Sequence, residues 1–470
     1  MSTVHFFIKF TRSFTHVLKT VRMVSKRFLA RVTSPTCSGA FLLLSLLFLF
    51  SNPLAAQVGN PPSWENGVIS SADKYASKAG LEILKKGGNA VDAAVAVQFA
   101  LAVTLPRAGN IGGGGFMVLR LQNGTSAALD FREKAPYAAS RDMYLNEEGD
   151  YESRTSKIGH LAAGVPGTVD GMITALERFG TLPLEIVMEP AIRLARDGFV
   201  LSHSTARSLN SGSERFSEYR GSAAIFLKPE GGPWEPGDLF FQPDLAETLE
   251  RIATLGRRGF YSGITARLIV EEMQRGGGLI TMRDLRDYRS VWREPVRTIF
   301  RDYELIMMPP PSSGGIVMKQ VLGMIDRPLL DRASFNSAEY IHLLSEALRR
   351  SFADRNYWLG DPDFADIPID SLTSPHYLEE RMQSFQVDSA SNSNRVTHGE
   401  VVYAASESSE TTHFNVADRY GNVVTVNTTL NGSFGNFVTV TGAGFLLNNE
   451  MDDFSAKPGE PNMFGLIGAE

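Results

Sequence analysis

Apolar positions fall into helical and alternating stretches whose order separates the chain into parts. From Asp73 the spacing turns helical over 76–86. Gly87, Gly88 and Asn89 interrupt it, and a second helix is expected over 90–104, ended by Pro106. That second stretch, with Val91, Ala94, Val95, Val97, Ala100, Leu101 and Val103, is apolar nearly all round, so it is expected between layers of the fold. After four glycines at 112–115, two β-like runs over 116–121 and 126–131 flank Asn123-Gly124, which is a hairpin signal.

The middle, 165–290, reads as mostly helical, with segments over 190–197, 245–255 and 265–275 broken by Gly- and Pro-rich loops such as 229–237. Ile341, Leu344, Leu348 and Phe352 form an amphipathic stripe after a cap-like Asn336-Ser337. Residues 386–410, rich in Ser, Asn and Glu, read as a surface linker, and 57–70, rich in Pro, Gly and Ser, as a lead-in segment. Alternation over 411–417, a turn at 418–422, alternation over 423–430 and a β-like stretch over 437–447 follow. The pattern as a whole is α+β.

Composition narrows the function. With 43% hydrophobic and 21% charged residues over 470 positions, the chain is globular. The first 56 residues hold seven basic side chains and no acidic one, leaving 39 basic against 52 acidic beyond them. So acidic a surface argues against a nucleic-acid partner. Basic positions from Lys9 to Arg31, an uncharged run over 40–50 and then Pro53, Leu54, Ala55 and Ala56 have the order of a signal peptide over 1–56. The expectation is export to the periplasm or the medium, with no stable membrane span once the leader is removed. Met23 gives the more ordinary basic region and is the expected start. Cys37, the only cysteine, lies in that leader, so thiol catalysis is excluded in the remainder.

No G-x-S-x-G elbow, phosphate loop or H-E-x-x-H helix occurs. The six histidines beyond the leader (His160, His203, His342, His376, His398, His413) lack ligand spacing, so neither metal nor cofactor is expected. The glycines at 112–115 lack the surroundings of a dinucleotide site and read as a place where backbone approaches another segment. The stretch 309–315, Pro-Pro-Pro-Ser-Ser-Gly-Gly, reads equally as a stiff turn or as a loop bordering a site. Thr411-Thr412-His413 opens a strand after the polar stretch. A threonine that becomes an N-terminus is a nucleophile whose own α-amine serves as base.

Five stretches together carry a resemblance: Glu410-Thr411-Thr412-His413-Phe414, Asn448-Asn449-Glu450-Met451-Asp452-Asp453-Phe454-Ser455, 309–315, 112–116 and Asp130-Phe131-Arg132-Glu133. In this order they resemble the γ-glutamyltransferases (γ-glutamyltranspeptidases, glutathione hydrolases). The resemblance implies an N-terminal-nucleophile hydrolase, a four-layer αββα sandwich made as a precursor that cuts itself between Glu410 and Thr411. A large subunit over 57–410 and the start of a small one over 411–470 would result. It implies Thr411 as nucleophile on the γ-glutamyl amide of glutathione, Thr429 hydrogen-bonded to it, Arg132 on the substrate α-carboxylate, and Glu450 and Asp453 on its α-ammonium, with Asn431 orienting. Water or an amino acid or dipeptide would accept the group. The family's serine pair and oxyanion glycine pair are not found in this sequence, so the chain is expected to be a partial one, lacking C-terminal strands and poorly active alone. A glutaryl (cephalosporin) acylase of the same superfamily and an unprocessed, non-catalytic chain are the competing expectations.

Overall fold

The computed structural model describes residues 64–326, 328–398, 411–454, 457, 462 and 463. The expected signal peptide, its cleavage site and Glu410 lie outside the described residues.

Six antiparallel strands form the main sheet: β1 (Gly67–Ser70), β2 (Gly114–Arg120), β3 (Ser126–Asp130), β4 (Val291–Arg293), β7 (Thr412–Asp418) and β8 (Val423–Thr429). A separate hairpin supplies β5 (Val296–Phe300) and β6 (Tyr303–Met307). The order across the main sheet is β1-β7-β8-β2-β3-β4. The late hairpin is thus inserted at the centre of a sheet begun more than 300 residues earlier. Both expected hairpins form, and Gly124 and Gly421 carry the positive φ of their turns. Part of the lead-in segment, by contrast, is β1: its four residues find unpaired backbone groups on β7.

One face of the sheet is covered by helices. Helix α1 (Lys74–Lys85) packs on α2 (Ala90–Thr104), and α2 has all fifteen residues buried, as its all-round apolarity requires. Asn89 caps α2, and Asp92 accepts from the backbone of Asn89, Thr181 and Leu182, so the one charge on α2 is satisfied. Outside α2 lie α3 (Thr168–Phe179) and α4 (Leu184–Asp197). The expected segments of the middle appear as α4, α5 (Pro243–Leu255) and α6 (Gly263–Gly276). The opposite face of the sheet exposes His413, Asn415 and Asn427.

One expectation fails and two hold only in part, for physical reasons. Residues 437–447 are no strand. Only a Thr439–Leu446 bridge forms, and the segment is a buried irregular loop whose polar groups bond to other elements, as where Ser222 Oγ donates to the Phe437 carbonyl (2.7 Å). After α7 (Gly314–Ile325) comes α8 (Ala338–Trp358), capped by Ser337 as expected, but its buried face is Leu343, Glu346, Ala347, Arg350, Ser351 and Asp354, while Ile341 is exposed. Leu344 and Leu348 of the expected stripe pack partly buried on a second core cluster, but charges fill the most interior positions: buried Arg350 reaches Glu346 Oε2 (2.6 Å), the Arg381 carbonyl (2.7 Å) and Ser384 Oγ (2.9 Å). Residues 386–398 lie at the surface, as expected, but are tied down rather than free: Ser391 donates to both Glu346 carboxylate oxygens and Arg381 donates to the Thr397 carbonyl.

The glycine run behaves as expected. A methyl on Gly112 would meet the Leu446 carbonyl at 2.1 Å, one on Gly113 the Thr429 carbonyl at 2.2 Å, and one on Gly115 the Asn427 carbonyl at 2.1 Å. Gly113→Ala is therefore expected to lose about 2–3 kcal/mol in urea unfolding. Gly360→Ala, with nothing within 4 Å, should stay within about 0.5 kcal/mol of the parent.

Candidate functional site

The site is built where the ends of β2 and β8 meet the turn after 447. Register pairs Thr412 with Thr428, so one further step sets the exposed Thr411 opposite Thr429, which faces Gly114 on its other side. A buried amide network fixes this end of β8. Gln98 of α2 and Asn110 both donate to Thr428 Oγ1 (3.1 and 3.0 Å), and Asn110 also donates to the Thr429 carbonyl (2.8 Å). The Thr429 hydroxyl accepts from the Asn431 backbone N–H (2.9 Å), and Asn431 holds a left-handed φ of 74°. That hydroxyl is engaged by Asn431 in this state, and no bond from it to Thr411 is seen among the described residues.

Two adjacent amides staple the acidic turn to this corner. Asn448 donates to the Gly112 and Gly164 carbonyls (2.9 and 2.8 Å) and accepts from the Gly164 and Glu450 N–H groups. Asn449 accepts from Gly432 N–H (2.8 Å) and donates to the Lys157 carbonyl (3.0 Å), while Asn431 Nδ2 donates to the Asn449 carbonyl (3.0 Å). Each side chain satisfies both ends of its amide in a dry interior, which makes the turn rigid. The one-turn 3₁₀ helix Glu450–Asp453 follows and aims two carboxylates at Arg132.

Arg132 ends β3. Its N–H donates to Asp130 Oδ1 (3.1 Å), its carbonyl accepts from Tyr288 (2.7 Å), and Asp130 is held in turn by Arg293 (2.8 Å). The guanidinium is paired with Glu450, lies 3.0 Å from Asp453 Oδ2 and 3.6 Å from Glu133 Oε2, and stacks over Phe116. Three carboxylates thus crowd one cation. Glu450 and Glu133 are buried, and Asp453 keeps an opening to solvent. Burial pushes the Glu133 carboxyl up to about 7 against the pull of Arg132. Crowding by protein likewise raises Asp453, opposed by Arg132 and then Arg355.

Arg132, Thr429, Asn431, Glu450 and Asp453, 321 residues apart at the extremes, are therefore brought to one corner beside Thr411. Glu133, Asn448 and Asn449 were not singled out as individual site residues. Their signal was present, since each lies inside a motif already noticed, but nothing in a sequence distinguishes a buried acid from an exposed one. Among the described residues no His/Cys/Asp/Glu group is arranged to hold a metal ion.

Comparison with known proteins agrees with this geometry. The gamma-glutamyltranspeptidase family profile matches residues 76–470. The glutathione hydrolase proenzyme of Escherichia coli (strain K12) is 46% identical over 414 residues, covering 88% of this chain and 71% of that protein. Among solved structures, Helicobacter pylori gamma-glutamyltranspeptidase superimposes with a TM-score of 0.70 at 43% identity, over 72% of this chain and 97% of the other. A cephalosporin acylase from Bacillus halodurans superimposes as well, with a TM-score of 0.73 over 88% of this chain and 76% of the other, but at 25% identity. The α+β architecture is thus common to transpeptidase and acylase; by the profile match over most of its length and a glutathione hydrolase proenzyme 46% identical, the chain belongs to the gamma-glutamyltranspeptidase family.

Proposed function

We propose that this chain is the precursor of a glutathione hydrolase, a γ-glutamyltransferase that takes the γ-glutamyl group of glutathione to water or to an amino acid or dipeptide. Cleavage between Glu410 and Thr411 would divide it into a large piece, 57–410, and a small one that starts at Thr411. The leader over 1–56 would carry it to the periplasm or the medium, and no helix among the described residues is long and apolar enough to cross a membrane. The four-layer αββα sandwich belongs to the same reading, the exposed polar face of the sheet being the side on which a second sheet would lie.

The observation that carries the reading is the cluster of one guanidinium and three carboxylates beside Thr411. A γ-glutamyl end presents an α-carboxylate and an α-ammonium. In the empty site Arg132 is neutralised internally by Glu450 and Asp453. A zwitterionic ligand exchanges that arrangement for two pairs, its carboxylate on Arg132 and its ammonium on Glu450 and Asp453, oriented by Asn431. A glutaryl group brings only the carboxylate and would leave the acids without a cation, at a cost of several kcal/mol for a buried charge. The cluster therefore favours γ-glutamyl over glutaryl substrates.

The chemistry follows from the position of Thr411. Once it is the N-terminus, its α-amine takes the hydroxyl proton as Oγ attacks the amide carbon. The proton passes to the leaving amine of cysteinylglycine, and the γ-glutamyl ester is then resolved by water or an acceptor amine. Thr429, next to it in register, is the hydroxyl that steadies the nucleophile, moving from its Asn431 contact.

Calorimetry tests the substrate class without requiring turnover. L-glutamate is expected to bind at least about 30-fold tighter than glutarate, and Arg132→Ala to weaken glutamate by about 2–5 kcal/mol. Equal binding of the two diacids would favour an acylase. Glu133 gives a pH prediction. Its folded pKa of about 7 exceeds the ordinary 4.5, so the stability it contributes is full below pH 4.5 and is lost as pH rises to 7. Glu133→Gln is expected to gain up to roughly 3 kcal/mol over the parent between pH 4 and pH 8 in urea unfolding. A constant difference would mean that the Glu133 carboxyl has the same pKa folded as unfolded.

A further inference from the structure

Two aspartates stand side by side in the 3₁₀ turn, and their carboxylates reach different parts of the chain. Asp453 lies 3.0 Å from Arg132, whereas Asp452 is buried against the segment 151–156. There Ser156 Oγ donates to Asp452 Oδ1 at 2.7 Å, across 296 residues of sequence. The Tyr151 hydroxyl lies 2.6 Å from Ser156 Oγ and 3.3 Å from the same Asp452 oxygen. Asp452 Oδ2 accepts from the Met463 N–H (2.7 Å). Ser156 is wholly buried, and Asp452 makes no ion pair among the described residues, so neutral donors hold this carboxylate. The same segment also grips the start of the turn, where Asn449 donates to the Lys157 carbonyl (3.0 Å).

We propose that Ser156, backed by Tyr151, is a positioning residue of the donor site: by holding Asp452 it fixes the turn that presents Glu450 and Asp453 to an α-ammonium. The argument rests on the γ-glutamyl reading and extends it to side chains that do not touch the ligand. A 3₁₀ turn of four residues has little stiffness of its own. Asn448 and Asn449 fix its entrance, and Asp452 is the side chain that anchors its far end. The anchor is needed because Glu450, Asp453 and Glu133 already share one guanidinium, and an incoming α-carboxylate adds a fourth anion. Repulsion among like charges is relieved if the turn swings away from Arg132. Such a swing would strip a buried carboxylate, Asp452, of its donors, which is costly in a dry interior. Asp452 and Ser156 therefore act as the counterweight that keeps the two acids in place.

Calorimetry with three ligands separates positioning from general damage to the fold. L-glutamate carries both charged groups of the donor, glutarate lacks the ammonium, and 4-aminobutyrate lacks the α-carboxylate. Ser156→Ala is expected to weaken glutamate and 4-aminobutyrate about tenfold, while glutarate holds or tightens because Arg132 is less neutralised. Tyr151→Phe, which removes only the farther donor, should fall between the parent and Ser156→Ala, and it carries the same test should Ser156→Ala unfold. A second readout needs no ligand. In ¹⁵N-arginine-labelled protein the Arg132 Nε–H signal, assigned by its loss in Arg132→Lys, is expected to shift in Ser156→Ala as the acids draw back. An equal loss for all three ligands overturns the proposal, as does an unmoved Arg132 signal. If the parent protein binds glutamate and glutarate equally, the γ-glutamyl reading fails on that result, while the Arg132 signal still decides whether Ser156 sets the turn.

Discussion

Everything in the site depends on how closely four glycines let backbone approach backbone. Gly113 and Gly115 lie against carbonyls of β8, and Gly112 against the carbonyl of Leu446, at distances where any side chain would be in collision. Gly114 has the Glu133 carboxylate where its own Cβ would be, 2.4 Å from that point. This corner therefore joins three stretches far apart in sequence: the end of the hairpin that starts at Thr411, the Arg132 segment and the acidic turn. Asn110 accepts from the Gly113 N–H and donates to the Thr429 carbonyl, Asn448 donates to the Gly112 carbonyl, and Asn449 accepts from the Gly432 N–H, so the amides knit the backbone of this corner together.

On that frame the electrostatics are deliberately unbalanced. One arginine among three carboxylates is a poor way to gain stability, because burial taxes each ionised acid and raises Glu133 to about 7. It is a good way to select a ligand that brings its own cation and anion together. By contrast, the Glu346–Arg350 pair on α8 is wholly internal, with hydrogen bonds to 381–391, and holds structure only.

Much of the fold was legible because its signals are local. An all-round apolar helix must be buried, and Asn123-Gly124 between alternating runs makes a hairpin; both follow from residues within one element. What was misread depends on distant partners. Whether 67–70 is a strand is decided by β7, 350 residues away. Arg350 looks like a surface residue until Glu346 and Ser384 are placed around it, and the β-like stretch 437–447 has no strand to pair with among the described residues. The site residues were legible only as motifs of a resemblance. Spacing contains no hint that Arg132 and Asp453 touch.

The account's central claim is that Thr411 becomes an N-terminus at the corner which the glycines build. Intact mass and N-terminal sequencing of the purified protein address it directly. Two fragments, the smaller beginning Thr-Thr-His-Phe, are the predicted result. A single chain that stays uncut on prolonged incubation, or a new N-terminus at any other residue, would contradict it.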